Sequence, residues 1–116
     1  MRVQRLTRQG DIDRVRRQDQ AYHTRFFVAL IASGMDASGI HKRSRVGVVA
    51  GKRVGGAVKR NRAKRLLREG LRPLYPHIAQ GWDILLMARP PILEASSTQV
   101  SVSLDKMLRK SNLILR

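Results

Sequence analysis

Residues 45–89 read RVGVVAGKRVGGAVKRNRAKRLLREGLRPLYPHIAQGWDILLMAR, and this stretch decides the fold. Its opening, residues 45–51, is β-forming and carries glycines at 47 and 51, which mark places where another backbone or a ligand comes close. After Gly55-Gly56 the pattern changes. Ala63, Leu66, Leu67, Gly70, Leu71 and Leu74 recur at steps of three and four, which predicts an amphipathic helix. Pro76 and Gly81 punctuate the chain, and residues 82–89 form a second apolar strand stopped by Pro90 and Pro91. Strand, helix and strand in that order predict a βαβ crossover.

Outward from this core, residues 25–32 (RFFVALIA) predict another buried strand, with one of Phe26 and Phe27 facing the interior. Ser33-Gly34 ends it and a loop follows over 35–44. Residues 21–24, with Tyr22 and Thr24, add a short strand before it. Nearer the N-terminus, Asp11 caps a short helix that places Ile12 and Val15 three apart among Arg14, Arg16 and Arg17. At the other end, Ser96, Ser97 or Thr98 caps a helix whose Val100, Leu104, Met107 and Leu108 share a face. The elements assemble into one α+β domain over residues 1–116, a small mixed sheet covered by helices. A chain of 116 residues with 42% hydrophobic content suits one such core.

Charge narrows the function. Lys and Arg number 24 against 8 Asp and Glu, giving +16 at neutral pH, and the mean hydropathy is −0.33. Self-repulsion of this size opposes compaction, so a polyanionic partner is expected, nucleic acid before a membrane surface. The longest apolar run, residues 26–32, is far short of the roughly 20 residues that span a bilayer. The basic N-terminus lacks the apolar segment of a secretory signal, and there is no cysteine. A cytosolic protein without disulfides, thiol catalysis or thiolate metal sites is predicted.

Nine of the 24 cations lie in residues 52–72, with Glu69 the single acid there. At about 100° per residue, Arg60, Arg62, Lys64, Arg65, Arg68 and Arg72 fill an arc of about 200° opposite the apolar face, with Asn61 in its middle. A solvated helix face would interleave acids at i,i+4; this one stacks like charges at Arg60, Lys64 and Arg68. Arginine forks match phosphate in two contacts, and Asn61 offers a donor and an acceptor to a sugar or base edge. Gly55 and Gly56 open the helix, either as a plain flexible turn or as a place where bare amides hold a phosphate.

Other chemistries find little support. Between Gly47 and Gly51 lie three residues rather than the four of a nucleotide-binding P-loop, and Arg53 replaces its Ser or Thr, so ATP and GTP binding are not expected. His23, His41 and His77 show no metal-ligand spacing, Asp11 and Asp13 read as a helix start, and no serine sits in a nucleophile elbow. Neither a catalytic side chain nor a protein-borne metal is predicted. Aromatics make up only 4%, too few for the stacking platforms of RNA-recognition sheets, which favours structured RNA met through shape and phosphates, although an Arg-rich helix face alone does not tell it from duplex DNA.

The run from Arg45 through KRVGGAVKRNRAKRLLRE closely resembles the protein subunit of bacterial ribonuclease P, and the order of the flanking elements extends the similarity over almost the whole chain. The resemblance implies a four-stranded sheet in the order αβββαβα. It also implies a left-handed βαβ crossover, where about 98% of such connections are right-handed. It implies a catalytic RNA that uses Mg2+ to hydrolyse precursor tRNA and release the 5′ leader, assisted by a monomeric protein present in one copy. Arg60, Asn61, Arg62, Lys64, Arg65 and Arg68 are implied to contact that RNA. A cleft beside the first helix is implied to hold the leader, with Lys52, Arg53 and Arg89 at its rim. The family's cleft aromatics fall at Ile12, Arg16 and Leu30, so charge from Arg16 replaces stacking. A ribosomal protein is the runner-up, and a self-sufficient nuclease lacks the acids or histidines it needs.

Overall fold

Alternate side chains of the central strands are buried on both sides, as expected where helices cover both faces of a sheet. Phe27, Ala29 and Ile31 share one core with Ile84 and Leu86, whereas Ala32 and Leu85 belong to another on the opposite face. The computed structural model describes residues 3–17, 20–34 and 43–114. Its strands are β1 (Gln4–Arg5), β2 (Ala21–His23), β3 (Phe27–Ser33), β4 (Arg45–Val49) and β5 (Trp82–Ala88). Three α-helices accompany them: α1 (Gln9–Arg16), α2 (Ala57–Leu71) and α3 (Ser97–Lys110). Short 3-10 turns occupy Tyr75–His77 and Pro90–Glu94.

The sheet runs β1-β4-β5-β3-β2. β3 and β5 are antiparallel over their full lengths, from Phe27 opposite Ala88 to Ser33 opposite Trp82. β4 lies parallel to β5, and the α2 crossover joins them. β2 folds back on β3 through a turn in which the Thr24 hydroxyl accepts hydrogen bonds from the Phe26 and Phe27 amides. Phe27, fully buried, is the member of the aromatic pair that faces the core.

The expected order of elements is present, with one correction. The sheet has five strands, because Gln4 and Arg5 add parallel to Arg45 and Val46 at its edge. Gly47 permits this: a Cβ there would lie 2.8 Å from the Leu6 carbonyl oxygen, so only glycine lets the N-terminal segment lie so close. Gly51, by contrast, has open space around it.

α2 and α3 pack together over one face. Ala63, Leu66, Leu67, Gly70 and Leu71 are the buried residues of α2, and Leu74 lies beyond its end. Val100, Leu104, Met107 and Leu108 are those of α3. Of the three candidate caps, Ser96 serves: its hydroxyl accepts from the Gln99 amide at 3.1 Å, and Gln99 Oε1 accepts from the Ser96 amide at 2.9 Å. α1 covers part of the other face, burying Val15 beside Leu6, Ala32 and Leu85. It starts two residues before Asp11, with Arg8 at the cap position and no side chain capping it, so Asp11 sits inside the first turn. The predicted loop over 35–44 lies outside the described residues except for Arg43 and Ser44, and so does His41.

Candidate nucleic-acid interface

The apolar side of α2 seats the helix, and the remaining arc faces outward. Lys59, Asn61, Arg62, Arg65 and Arg68 are exposed, while Arg60 and Lys64 are half-buried. No acid lies in the first turn, where the helix dipole would favour one, and Glu69 is the only acid of the helix. None of its basic side chains forms a hydrogen bond or ion pair with a described residue; the ion pairs among those residues are made by Arg14, Arg45 and Arg109. The Arg60 Nε is enclosed without an acceptor among the described residues, so this guanidinium gives up no internal Nε bond when it turns to an outside anion. Burial, with the repulsion of Arg5 added, lowers the pKa of Arg68 below the ordinary arginine value.

At the start of α2, Gly55 has φ +139°, a conformation that L side chains rarely adopt, and a Cβ there would meet Lys59 Cδ at 2.6 Å. Its amide donates to the Lys52 carbonyl at 3.1 Å, so the free donors of the turn begin with the amide of Gly56, the residue at the cap position. No side chain caps this end.

A separate cleft of about 400 Å³ opens between α1 and the sheet. Its floor includes Val28, Val49 and Met87, and it is lined by Arg16 of α1, Arg53 of the turn after β4 and Arg89 just past the end of β5. Arg89 is held by a 2.7 Å hydrogen bond from its Nη1 to the Thr24 carbonyl. Thus three of the six side chains predicted for a leader cleft are brought together. Lys52 is exposed beside them but does not line the cleft, and Ile12 and Leu30 pack instead against the small core beneath α1.

Sequence reasoning missed the device that holds α1 in place. Asp83, 1% exposed, receives Arg45 Nε at 2.9 Å and Arg45 Nη2 at 2.8 Å, a two-point fork from β4, and also Arg14 Nη2 from α1. Asp11 joins through Arg45 Nη1 at 3.2 Å, and Arg14 Nη1 reaches the Ser33 carbonyl at 2.8 Å. The hydrogen bond to Asp83 is the main cause that raises the Arg45 pKa, against the opposing effect of burial. Stability from a raised pKa is lost only as pH climbs through that value, so Arg45 stays charged throughout the neutral range. The missing signal was one acid inside the apolar run WDILLMA, where a charge needs a partner from elsewhere in the chain. Among the described residues no three His, Asp or Glu side chains gather as a metal site, and no helix is long and apolar enough to cross a membrane.

A small α+β sheet whose crossover helix carries an unpaired cation face, with a second basic cleft on the other side, defines a nucleic-acid-binding protein. Similarity to known proteins narrows this to one family. The family model described as Ribonuclease P matches residues 1–112. The ribonuclease P protein component of Chloroflexus aggregans is 33% identical over 114 residues, 97% of this chain and 81% of that protein. That of Roseiflexus castenholzii is 43% identical over 72 residues, 61% of this chain and 59% of that one. The Staphylococcus aureus RNase P protein superposes with a TM-score of 0.78 at 26% identity, covering 98% of this chain and all of that one. The Thermotoga maritima RNase P protein gives 0.75 at 26% identity, covering 92% and 96%. The chain belongs to the ribonuclease P protein family. It is the accessory protein component of the endonuclease that matures tRNA 5′ ends.

Proposed function

We propose that the α2 face binds the catalytic RNA of the holoenzyme through Arg60, Asn61, Arg62, Lys64, Arg65 and Arg68, with the first-turn amides beyond Gly55 and Gly56 as further phosphate donors. The observation that carries this is the absence of any internal partner for the α2 cations among the described residues, in a helix whose other side is fully packed. The cleft bounded by Arg16, Arg53 and Arg89 takes the single-stranded leader of precursor tRNA, with Lys52 at its approach. Ile12 and Leu30 support it from beneath by fixing α1 on the sheet.

The protein's part is charge neutralisation and positioning. Cations placed beside two RNA strands offset phosphate repulsion, so fewer Mg2+ ions are needed to bring substrate and catalyst together. The Mg2+ belongs to the RNA: Asp83 and Asp11 are already held by arginines, and Asp13, the other acid of α1, is a lone exposed carboxylate that accepts from Gln9, so these acids are poor candidates for ion ligands. One copy of the protein per RNA, acting in the cytosol, is sufficient for this role.

The test is cleavage of a precursor tRNA at low Mg2+ by a bacterial ribonuclease P RNA, with and without the protein, beside the protein alone. Cutting at the mature 5′ end only when both are present is the expected result. Cutting by repurified protein alone would mean a catalytic cluster exists that this assignment lacks. No effect with the cognate RNA would move the protein to the ribosome or to general RNA binding.

A further inference from the structure

A second concavity, apart from the leader cleft, borders the end of the α2 face. It is a groove of about 680 Å³ at the edge of the sheet. Gln4, Arg5 and Thr7 form one wall, Arg68 and Arg72 the other, and Val46 to Val48 the floor. No lining residue is acidic. Arg5, Arg68 and Arg72 have no hydrogen-bond or ion-pair partner among the described residues. Arg5 and Arg68 are 63 positions apart in sequence, and the fold brings their charges close enough that Arg5 helps to lower the Arg68 pKa.

We propose that this groove is a second phosphate-backbone site, along which the catalytic RNA continues from α2 onto the sheet edge. The proposal rests on the assignment of α2 to that RNA and extends it to Arg5, Arg72, Gln4 and Thr7.

Three features support the assignment. First, like charges facing each other across a concave surface repel in the free protein, and an anion between them removes that repulsion. Second, β1 ends at Arg5, whereas β4 continues to Val49, so the sheet edge beyond the pairing of Arg5 with Val46 opens into the groove. Third, Arg65, Arg68 and Arg72 follow one another at three- and four-residue steps, so the groove is continuous with the cation face. A polyanion lying on α2 is carried into it without a break. Arginine forks suit phosphate, and Gln4 and Thr7 supply neutral donors and acceptors for sugar hydroxyls. Gly47 has a part in this, since the close approach that it allows to Leu6 is what sets Arg5 opposite α2.

The test compares two multiple variants of the full chain in binding to ribonuclease P RNA over roughly 50 to 200 mM salt. Arg5 and Arg72 are exposed, so R5A/R72A should melt with the parent protein. It should bind the RNA on the order of tenfold more weakly, with a salt dependence shallower by about one to two units. Its preference for precursor over mature tRNA should persist. The parallel variant R60A/R62A/R65A separates the two claims. A slope flattened by the triple and untouched by the double would overturn the groove alone, whereas a slope moved by neither would overturn the α2 assignment as well.

A second readout fixes the occupant. The chain has no cysteine, so Thr7→Cys gives a unique tether for an iron chelate that cuts nearby backbone. Cuts in the catalytic RNA are expected. Cuts confined to the tRNA leader, or none in either RNA, as an acidic peptide occupant would give, would overturn the proposal.

Discussion

α1 and α2 lie on opposite faces of the same sheet, and both are rich in arginine, yet they use it in opposite ways. α1 is eight residues long with Val15 its one buried side chain, too little apolar contact to hold it. Arg14 fastens it instead by crossing to Asp83, which Arg45 grips from a neighbouring strand. α2 is fifteen residues long and has five buried positions, so packing alone holds it. Gly70 shows how closely: a Cβ there would lie 2.9 Å from Val100 Cγ1 and 3.0 Å from the Ser101 amide nitrogen of α3. Its arginines are therefore released from structural duty. Whether an arginine fastens or reads depends on where the few acids fall, and three of the eight, Asp11, Asp83 and Asp105, are paired away from α2.

The contrast breaks first at α2. Replacing Arg60, Arg62 and Arg65 together by Ala should weaken binding to the catalytic RNA on the order of 100-fold and make its salt dependence shallower by about two units. Unfolding free energy should move by less than about 1 kcal/mol, since no internal bond of these side chains is lost. Titration at several salt concentrations and a denaturant melt measure both. A large loss of stability with an unchanged slope would show that these arginines are fasteners after all.

The reverse pattern is expected on the other face. Asp83→Asn keeps the shape but removes the charge that two arginines share, which should cost about 2–4 kcal/mol. The lower part of that range is favoured because the Arg14 and Arg45 side chains are 36% and 35% exposed and water screens them. The denaturation midpoint should fall accordingly, while binding of the catalytic RNA under folding conditions should change by less than about twofold. Equal damage to both properties would mean that the two faces are not independent.

How much of this is legible in the sequence follows from the range of the interactions. The α2 face, the α3 face and its Ser96 cap are written in steps of three and four, so local periodicity reveals them. The strands at 27–33, 45–49 and 82–88 are apolar runs bounded by turn residues. β1 is two residues long and exists through its pairing with Arg45 and Val46, about forty positions away. The Asp83 network likewise spans 38 and 69 positions. Asp11 resembles a cap by residue type, but its carboxylate is turned toward Arg14 and Arg45. The cleft was half legible: Arg16, Arg53 and Arg89 were placed together through the family resemblance, and what Ile12 and Leu30 touch depends on where α1 settles.

The smallest effect belongs to the place where the two uses of arginine meet. Arg16 is on the fastened helix, next in sequence to the buried Val15, yet it lines the cleft and is exposed. It is two residues beyond Arg14, which turns it away from the Asp83 network, and it has no bond to a described residue. It is therefore a reader carried by a fastened element. Arg16→Ala should leave the melting midpoint unchanged and weaken binding of leader-bearing substrate by about fivefold, the loss of one phosphate contact. Mature tRNA, which has no leader, should be bound as before. Because the cleft has aliphatic floor residues and no aromatic among those lining it, the lost affinity should shrink as salt rises. A loss that persists at high salt would mean that Arg16 packs on leader bases rather than pairing with phosphate, and an unchanged affinity at low salt would take the leader out of this cleft.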